Sequence, residues 1–199
     1  MKVVIYQDNV SANGTLYSSL GRLFGKTNVS FVDAYELADG ALNHGVDIFV
    51  MPGGSSRYKE AKLRGCGNEV IKRYVSDGGA YVGICAGAYM GCEITEWAIG
   101  TQYEITRHND LSFFAGKAIG PIPDFSTAGS YNGSGARLVE LDFGTHKARS
   151  LYWGGCHFVG NQQADFTTVA TFSGIEDKPI AIVRGEYGAG RWLLSSTHI

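Results

Sequence analysis

The chain has 199 residues, room for one compact domain, and its 44% hydrophobic and 18% charged residues describe a globular protein with a sizeable core. Its 17 basic and 19 acidic residues leave a formal charge of −2, without the clustered positive charge that a nucleic-acid or anionic-membrane surface needs. Glycine stands out at 28 residues, about double the average usage of roughly 7%, so many backbone positions are asked to take a positive φ or a close approach.

Met1-Lys2-Val3-Val4-Ile5-Tyr6 opens on an apolar run too short for the core of a signal peptide. No stretch of about 18 apolar residues occurs, so a cytoplasmic protein is expected. Lys2–Tyr6 reads as a strand, Leu16–Phe24 as a helix with Leu16, Leu20 and Leu23 on one face, and Val29–Val32 as a second strand. Val46–Met51 is a third strand that runs into Pro52-Gly53-Gly54. Asn68 is placed to cap a helix over Glu69–Ser76, with Val70, Ile71, Tyr74 and Val75 as its apolar face and Gly78-Gly79 as its stop. Ala80–Ile84 is a fourth strand. Short β-rich runs alternating with helical windows predict a parallel sheet covered on both faces.

The second half changes character. Ala136–Leu141, Lys147–Trp153, Phe166–Phe172, Ile180–Val183 and Trp192–Ser195 are strand candidates with little helix between them, expected to extend the sheet and add antiparallel strands. Ser112–Gly135, rich in Gly, Pro and aromatics, reads as a long ordered loop. No repeat, linker or low-complexity tract interrupts the chain, so a single domain over residues 1–199 is expected.

The chemistry concentrates in Gly83-Ile84-Cys85-Ala86-Gly87. Gly-x-nucleophile-x-Gly at a strand-to-helix corner is the nucleophile elbow, which exposes a strained side chain above the sheet. A helix N-terminus beside Cys85 favours its thiolate. Gly53 and Gly54 follow another strand of the same sheet and so lie at the same carboxyl edge. Their N–H groups, with that of Ala86, are candidate donors to the negative oxygen of a tetrahedral intermediate.

A thiol nucleophile needs a base. His44, His108 and His146 sit in turn or strand-end contexts that predict solvated side chains. His198, at the exit of the final apolar strand, is the first candidate and His157 its rival. Cys156 and His157 cannot serve one another within a strand, since adjacent side chains point to opposite faces. Cys66 and Cys92 read as structural. The four cysteines form no Cys-x-x-Cys pair, so neither a disulfide scaffold nor a zinc site is expected. Tyr58, Tyr89, Tyr131, Trp153, Gly154, Gly155 and His157 are candidates to line a substrate pocket. The expected ligand is a small molecule, with no cofactor, no metal, no nucleic acid and no membrane; a homodimer is left open.

Five stretches stand out together: Met51-Pro52-Gly53-Gly54 with Tyr58, the run from Ile71 to Tyr89, Phe113-Phe114-Ala115-Gly116 with Gly120-Pro121, Tyr152-Trp153-Gly154-Gly155, and the strand leading to His198. In combination they resemble the class I glutamine amidotransferase-like superfamily, and within it the N-terminal domain of biotin–protein ligases, a domain that also occurs alone in bacteria. The resemblance implies a flavodoxin-like three-layer sandwich with a mostly parallel central sheet. It also implies Cys85 as nucleophile, Gly54 and Ala86 as oxyanion donors, and His198 as partner. Glutamine amidotransferases follow that histidine with Pro-Glu, whereas Ile199 follows here, and no Gly-Arg-Gly-Arg stretch of the biotinylating kind is present. Three functions are therefore carried forward: a cysteine-dependent amidohydrolase or amidotransferase-like enzyme, a catalytically silent binding or regulatory module, and a cysteine-based oxidant sensor.

Overall fold

A computed structural model describes residues 1–11, 13–43, 45–126 and 135–198. In chain order the strands are β1 (Val3–Tyr6), β2 (Val29–Val32), β3 (Ile48–Met51), β4 (Ala80–Ile84), β5 (Cys92–Trp97), β6 (Ile105–His108), β7 (Phe114–Gly120), β8 (Arg137–Asp142), β9 (Lys147–Tyr152), β10 (His157–Gly160), β11 (Thr167–Phe172), β12 (Ile180–Tyr187) and β13 (Gly190–Ser195). The α-helices are α1 (Gly14–Phe24), α2 (Ala34–Ala38), α3 (Ser56–Leu63), α4 (Cys66–Ser76) and α5 (Ala86–Gly91). One sheet joins the strands in the order β2-β1-β3-β4-β13-β12-β10-β7-β5-β6, with β11 pairing β12 and β8, and β9 pairing β8.

The block β2-β1-β3-β4-β13 is parallel throughout. Its inner strands β1, β3 and β4 are buried on both faces while the edge strand β2 exposes Ser30 and Phe31, and the period of two sorts their side chains. Val3 and Ile5 face α1, packing with Val29, Val50 and Ile84 and against Leu16, Leu20 and Phe24. Val4 and Tyr6 face the other way, toward Leu37 of α2, Leu63 of α3, Ile71 and Val75 of α4 and Met90 of α5. Helices on both faces of a parallel sheet make the expected three-layer sandwich. Beyond β13 the pairing turns antiparallel, through β12, β11, β8 and β9, around a second cluster that includes Phe125, Leu141, Tyr152 and Phe172.

Three expectations are corrected. Ser112–Gly135 is not one loop: Phe114–Gly120 forms β7, whose residues alternate between buried and half-buried, and Pro121 follows through a cis peptide bond. Asn68 does not cap α4, which begins at Cys66 behind Gly65; Asn68 is buried inside the helix and its Nδ2 donates to Asp110 Oδ2 at 2.8 Å. Cys66 is exposed rather than structural, while Cys85, Cys92 and Cys156 are buried. His108 and His146 are exposed as expected, His146 stacked on Phe143; His44 lies outside the described residues. Among the described residues no helix is long and apolar enough to cross a membrane.

Candidate active site

Cys85 occupies the corner between β4 and α5 with φ 50° and ψ −104°, a left-handed conformation that costs a residue with a β-carbon on the order of 1–3 kcal/mol. Two sets of backbone bonds hold it there. Its N–H donates to the Ser195 carbonyl at 2.8 Å, and its own carbonyl accepts from Ala88 and Tyr89 at 2.9 and 3.1 Å. The corner is thus clamped to β13 on one side and to the first turn of α5 on the other. The Sγ atom donates to the Trp153 carbonyl at 3.5 Å.

The backbone N–H groups of Ala86 and Gly54 both reach the Cys85 sulfur. Gly54 takes φ 116°, and a β-carbon there would stand 2.6 Å from the Val10 carbonyl oxygen, so no other residue leaves this loop in place. Gly53 has a different role from its neighbour. A β-carbon on it would lie 2.6 Å from Cε1 and 3.4 Å from Nδ1 of His198, and 3.5 Å from Cβ of Cys85. The edge of the imidazole and the β-carbon of Cys85 therefore both lie against the bare Cα of Gly53.

His198 arrives by a guided path. Ser195 Oγ donates to the Thr197 carbonyl, the Ser196 N–H donates to Ala181, and the His198 N–H donates to the Leu151 carbonyl at 2.8 Å. Ser150 Oγ donates back to the His198 carbonyl at 2.8 Å. The result is an antiparallel bridge between Leu151 and His198 beyond the end of β13. His198 Nε2 is buried and has no hydrogen-bond partner among the described residues. Burial holds its pKa below the ordinary value, so the ring is neutral near pH 7 and able to accept a proton.

Burial also pushes the Cys85 thiol up to about 11, against the Ala86 and Gly54 N–H groups and the charge of Lys59, which pull it down. This corrects the expectation of a thiolate favoured by the helix end. The helix is six residues long and buried throughout, and desolvation outweighs its dipole. The thiol carries its proton at rest.

The other candidates divide. Trp153, half-exposed, offers its carbonyl to the sulfur, and Gly154 makes the turn behind it at φ 67°. Gly155 packs so closely on Ser196 that no side chain fits between them. Tyr89 is not a pocket wall: it is buried, edge-on to Trp97, and its hydroxyl donates to the Gly154 carbonyl at 3.3 Å. Tyr58 lies on α3 with the Lys62 ammonium 5.5 Å from its ring centre. His157 opens β10 opposite Ile119 of β7, and the order of the sheet sets β13 and β12 between it and β4. Tyr131 lies outside the described residues.

Sequence reasoning missed a buried polar cluster at the same edge. Lys59 of α3 is wholly buried, and its Nζ donates to Asp8 Oδ2 at 2.9 Å and to Ser11 Oγ. Asp8 follows β1, a position that alone marks it as a neighbour of the Cys85 corner. Nothing in the sequence announces Lys59 except its place four residues before the buried Leu63, where an inward-facing helix position ordinarily holds an apolar side chain.

A family profile described as biotin-protein ligase, N terminal, matches residues 1–199. An uncharacterized protein of Chlamydia muridarum is 36% identical over 157 residues, which cover 76% of this chain and 60% of that protein. The biotin–protein ligase of Schizosaccharomyces pombe is 26% identical over 212 residues, covering 100% of this chain and 33% of the ligase. The chain thus spans less than two thirds of either relative. A Thermoplasma acidophilum protein described as a component of GMP synthase superposes with a TM-score of 0.55 at 15% identity, over 100% of this chain and 84% of its own. A GH42 β-galactosidase, Gan42B, superposes with a TM-score of 0.57 at 12% identity, over 99% of this chain and 27% of the enzyme.

The sheet order and these likenesses define a flavodoxin-like three-layer sandwich as the fold class of this chain. Within that class, the chain belongs to the biotin–protein ligase N-terminal domain family.

Proposed function

We propose that this domain is a cysteine-dependent acyl-transfer enzyme of the amidohydrolase or amidotransferase type, acting on a small carboxamide or related acyl compound. The observation that carries the reading is the convergence of the Gly54 and Ala86 N–H groups on the Cys85 sulfur beside a neutral imidazole.

The thiol is protonated at rest, so attack and proton removal go together. His198 takes the Sγ proton as sulfur bonds to the acyl carbon, and the carbonyl electron pair moves onto oxygen. That oxygen accepts from Gly54 and Ala86, donors typically worth roughly 3–4 kcal/mol of barrier when one is removed. The intermediate collapses to a thioester as the amide nitrogen leaves with the proton from His198. Water, deprotonated by His198, then releases the acid and restores the thiol.

Ammonia release from a panel of small primary carboxamides tests this, with Cys85→Ala and His198→Ala as controls. Turnover that both variants abolish is expected. Turnover that survives Cys85→Ala would contradict the reading.

A catalytically silent binding module is the second reading. It is favoured by the high thiol pKa and by the absence, among the described residues, of a group that orients His198 Nε2. It predicts no turnover from any carboxamide, and equal ligand binding by the wild type and Cys85→Ala.

A further inference from the structure

The cluster beneath the Gly53-Gly54 loop is costly to bury. Lys59 has 0% and Asp8 5% of its side chain exposed, and a desolvated ion pair commonly contributes less than apolar residues of the same volume would. The fold alone gives no reason for it. Its neighbours supply one. The Ser11 hydroxyl lies 2.7 Å from Asp8 Oδ1 and 3.3 Å from the Gly53 carbonyl oxygen, so the pair is tied to the loop that presents the Gly54 N–H. The Val10 N–H donates to Asp8 Oδ1 at 3.0 Å, and Val10 is the residue whose carbonyl shapes Gly54. The Lys59 Nζ stands 5.2 Å from the centre of the Tyr6 ring, and its charge is felt at Cys85.

We infer that Lys59 is a positioning residue for Cys85: held by Asp8 and Ser11, its buried ammonium favours the thiolate as the sulfur gives up its proton, and the same cluster fixes the Gly53-Gly54 loop against that sulfur. The inference rests on the nucleophile reading above.

Among the groups that face Cys85, Lys59 is the basic one; burial pulls its pKa below the ordinary lysine value, against the hydrogen bond and charge of Asp8, which hold its proton on. Tyr89 on α5 and Cys156 ahead of β10 both have ionisation pushed far up by burial and stay neutral, and His198 is neutral. Asp8, facing Lys59 rather than the sulfur, is held ionised by Lys59, Ser11 and the Val10 N–H, which outweigh its burial.

The test is the alkylation of Cys85 by iodoacetamide, mapped by peptide mass spectrometry between about pH 7 and 9, in the wild type, Lys59→Met and Asp8→Asn/Lys59→Met. The double variant is uncharged and close in shape, so it remains informative where an unpaired Asp8 would unfold the single one. The expected result is a Cys85 rate lower by about tenfold at a given pH in Lys59→Met, equivalent to an ionisation displaced upward by about one pH unit. The double variant is also slower than the wild type, and Cys66 reacts unchanged in every sample. A purely structural role would instead speed Cys85, Cys92 and Cys156 together as the core loosens. That outcome, or rates in both variants that superimpose on the wild type at every pH, would overturn the inference and leave the nucleophile reading standing. A wild-type Cys85 that never reacts would overturn both.

Discussion

A β-carbon on Gly53 would run into the His198 ring and touch the Cys85 β-carbon, and that makes Gly53 a sensitive position in the site. Gly53→Ala places a methyl group where the imidazole edge now lies, and the ring, at the end of a side chain, must turn away. A displacement of this kind typically costs about 100-fold in rate. The expected outcome is a loss of turnover on that scale with the melting temperature almost unchanged, measured by carboxamide hydrolysis beside thermal unfolding. The thiol gives a second prediction, with its sign set by burial. In the unfolded chain Cys85 loses its proton near 9.0, and in the folded chain near 11. Between those values the unfolded state binds fewer protons, so folding stability falls as pH rises. A two-unit displacement is about 2–3 kcal/mol, to be read as the difference between wild type and Cys85→Ser in urea unfolding across that window. Cys85, Gly54 and His198 were legible because each follows a strand and carries a recognisable type. Lys59 and Ser11 were not, because their part depends on which way α3 and the segment after β1 turn, and that is set by tertiary packing.

At the scale of elements, the parallel half was readable because its strands are short, mainly apolar runs bounded by turn-forming or polar residues, such as β1 (Val-Val-Ile-Tyr) before Gln7-Asp8 and β3 (Ile-Phe-Val-Met) before Pro52-Gly53-Gly54. The windows predicted for β1, β2, β3, β4 and α1 agree with the structure to within two residues. What escaped were elements whose sequence follows no apolar period. Strand β6 (Ile-Thr-Arg-His) is mostly polar, and β7 alternates Ala and Gly with larger residues, so only its flanking by β5 and β10 distinguishes it from loop. Helix α3 has no amphipathic stripe, since Lys59 takes one of its two buried positions. The junction after β9 offers the element-scale test. The buried Tyr152 hydroxyl accepts from the Ile122 N–H at 2.7 Å and donates to the Gly155 carbonyl at 2.9 Å, tying the turn that carries Trp153 to the antiparallel lobe. Tyr152→Phe leaves both backbone groups buried and unpaired, which costs about 1–3 kcal/mol. Urea unfolding should register that loss, and a variant as stable as the wild type would show that the turn is held by other means.

Across the whole molecule, the chain leaves the parallel block after β4, builds a mostly antiparallel region from β5 to β12 in which β5 and β7 alone among the described pairs run parallel, and returns through β13 to pair with β4. Neither half can be removed without opening the sheet at its centre, and one hydrophobic cluster includes Val4, Tyr81, Phe158, Val183 and Trp192. The same return puts His198 beside Cys85, so fold and site are completed by one strand. A single cooperative unfolding transition is therefore predicted, coincident by tryptophan fluorescence and circular dichroism. Two separated transitions would mean that the halves are independent units.

The central claim is that Cys85 can carry an acyl group with its oxygen in the hands of Gly54 and Ala86. Brief exposure to 4-nitrophenyl acetate, followed by acid quench and peptide mapping, reads this directly. The account predicts a thioester on Cys85 in the wild type, absent from Gly53→Ala and His198→Ala. An acetyl group found only on the exposed Cys66, or on Cys85 equally in all three proteins, would contradict it.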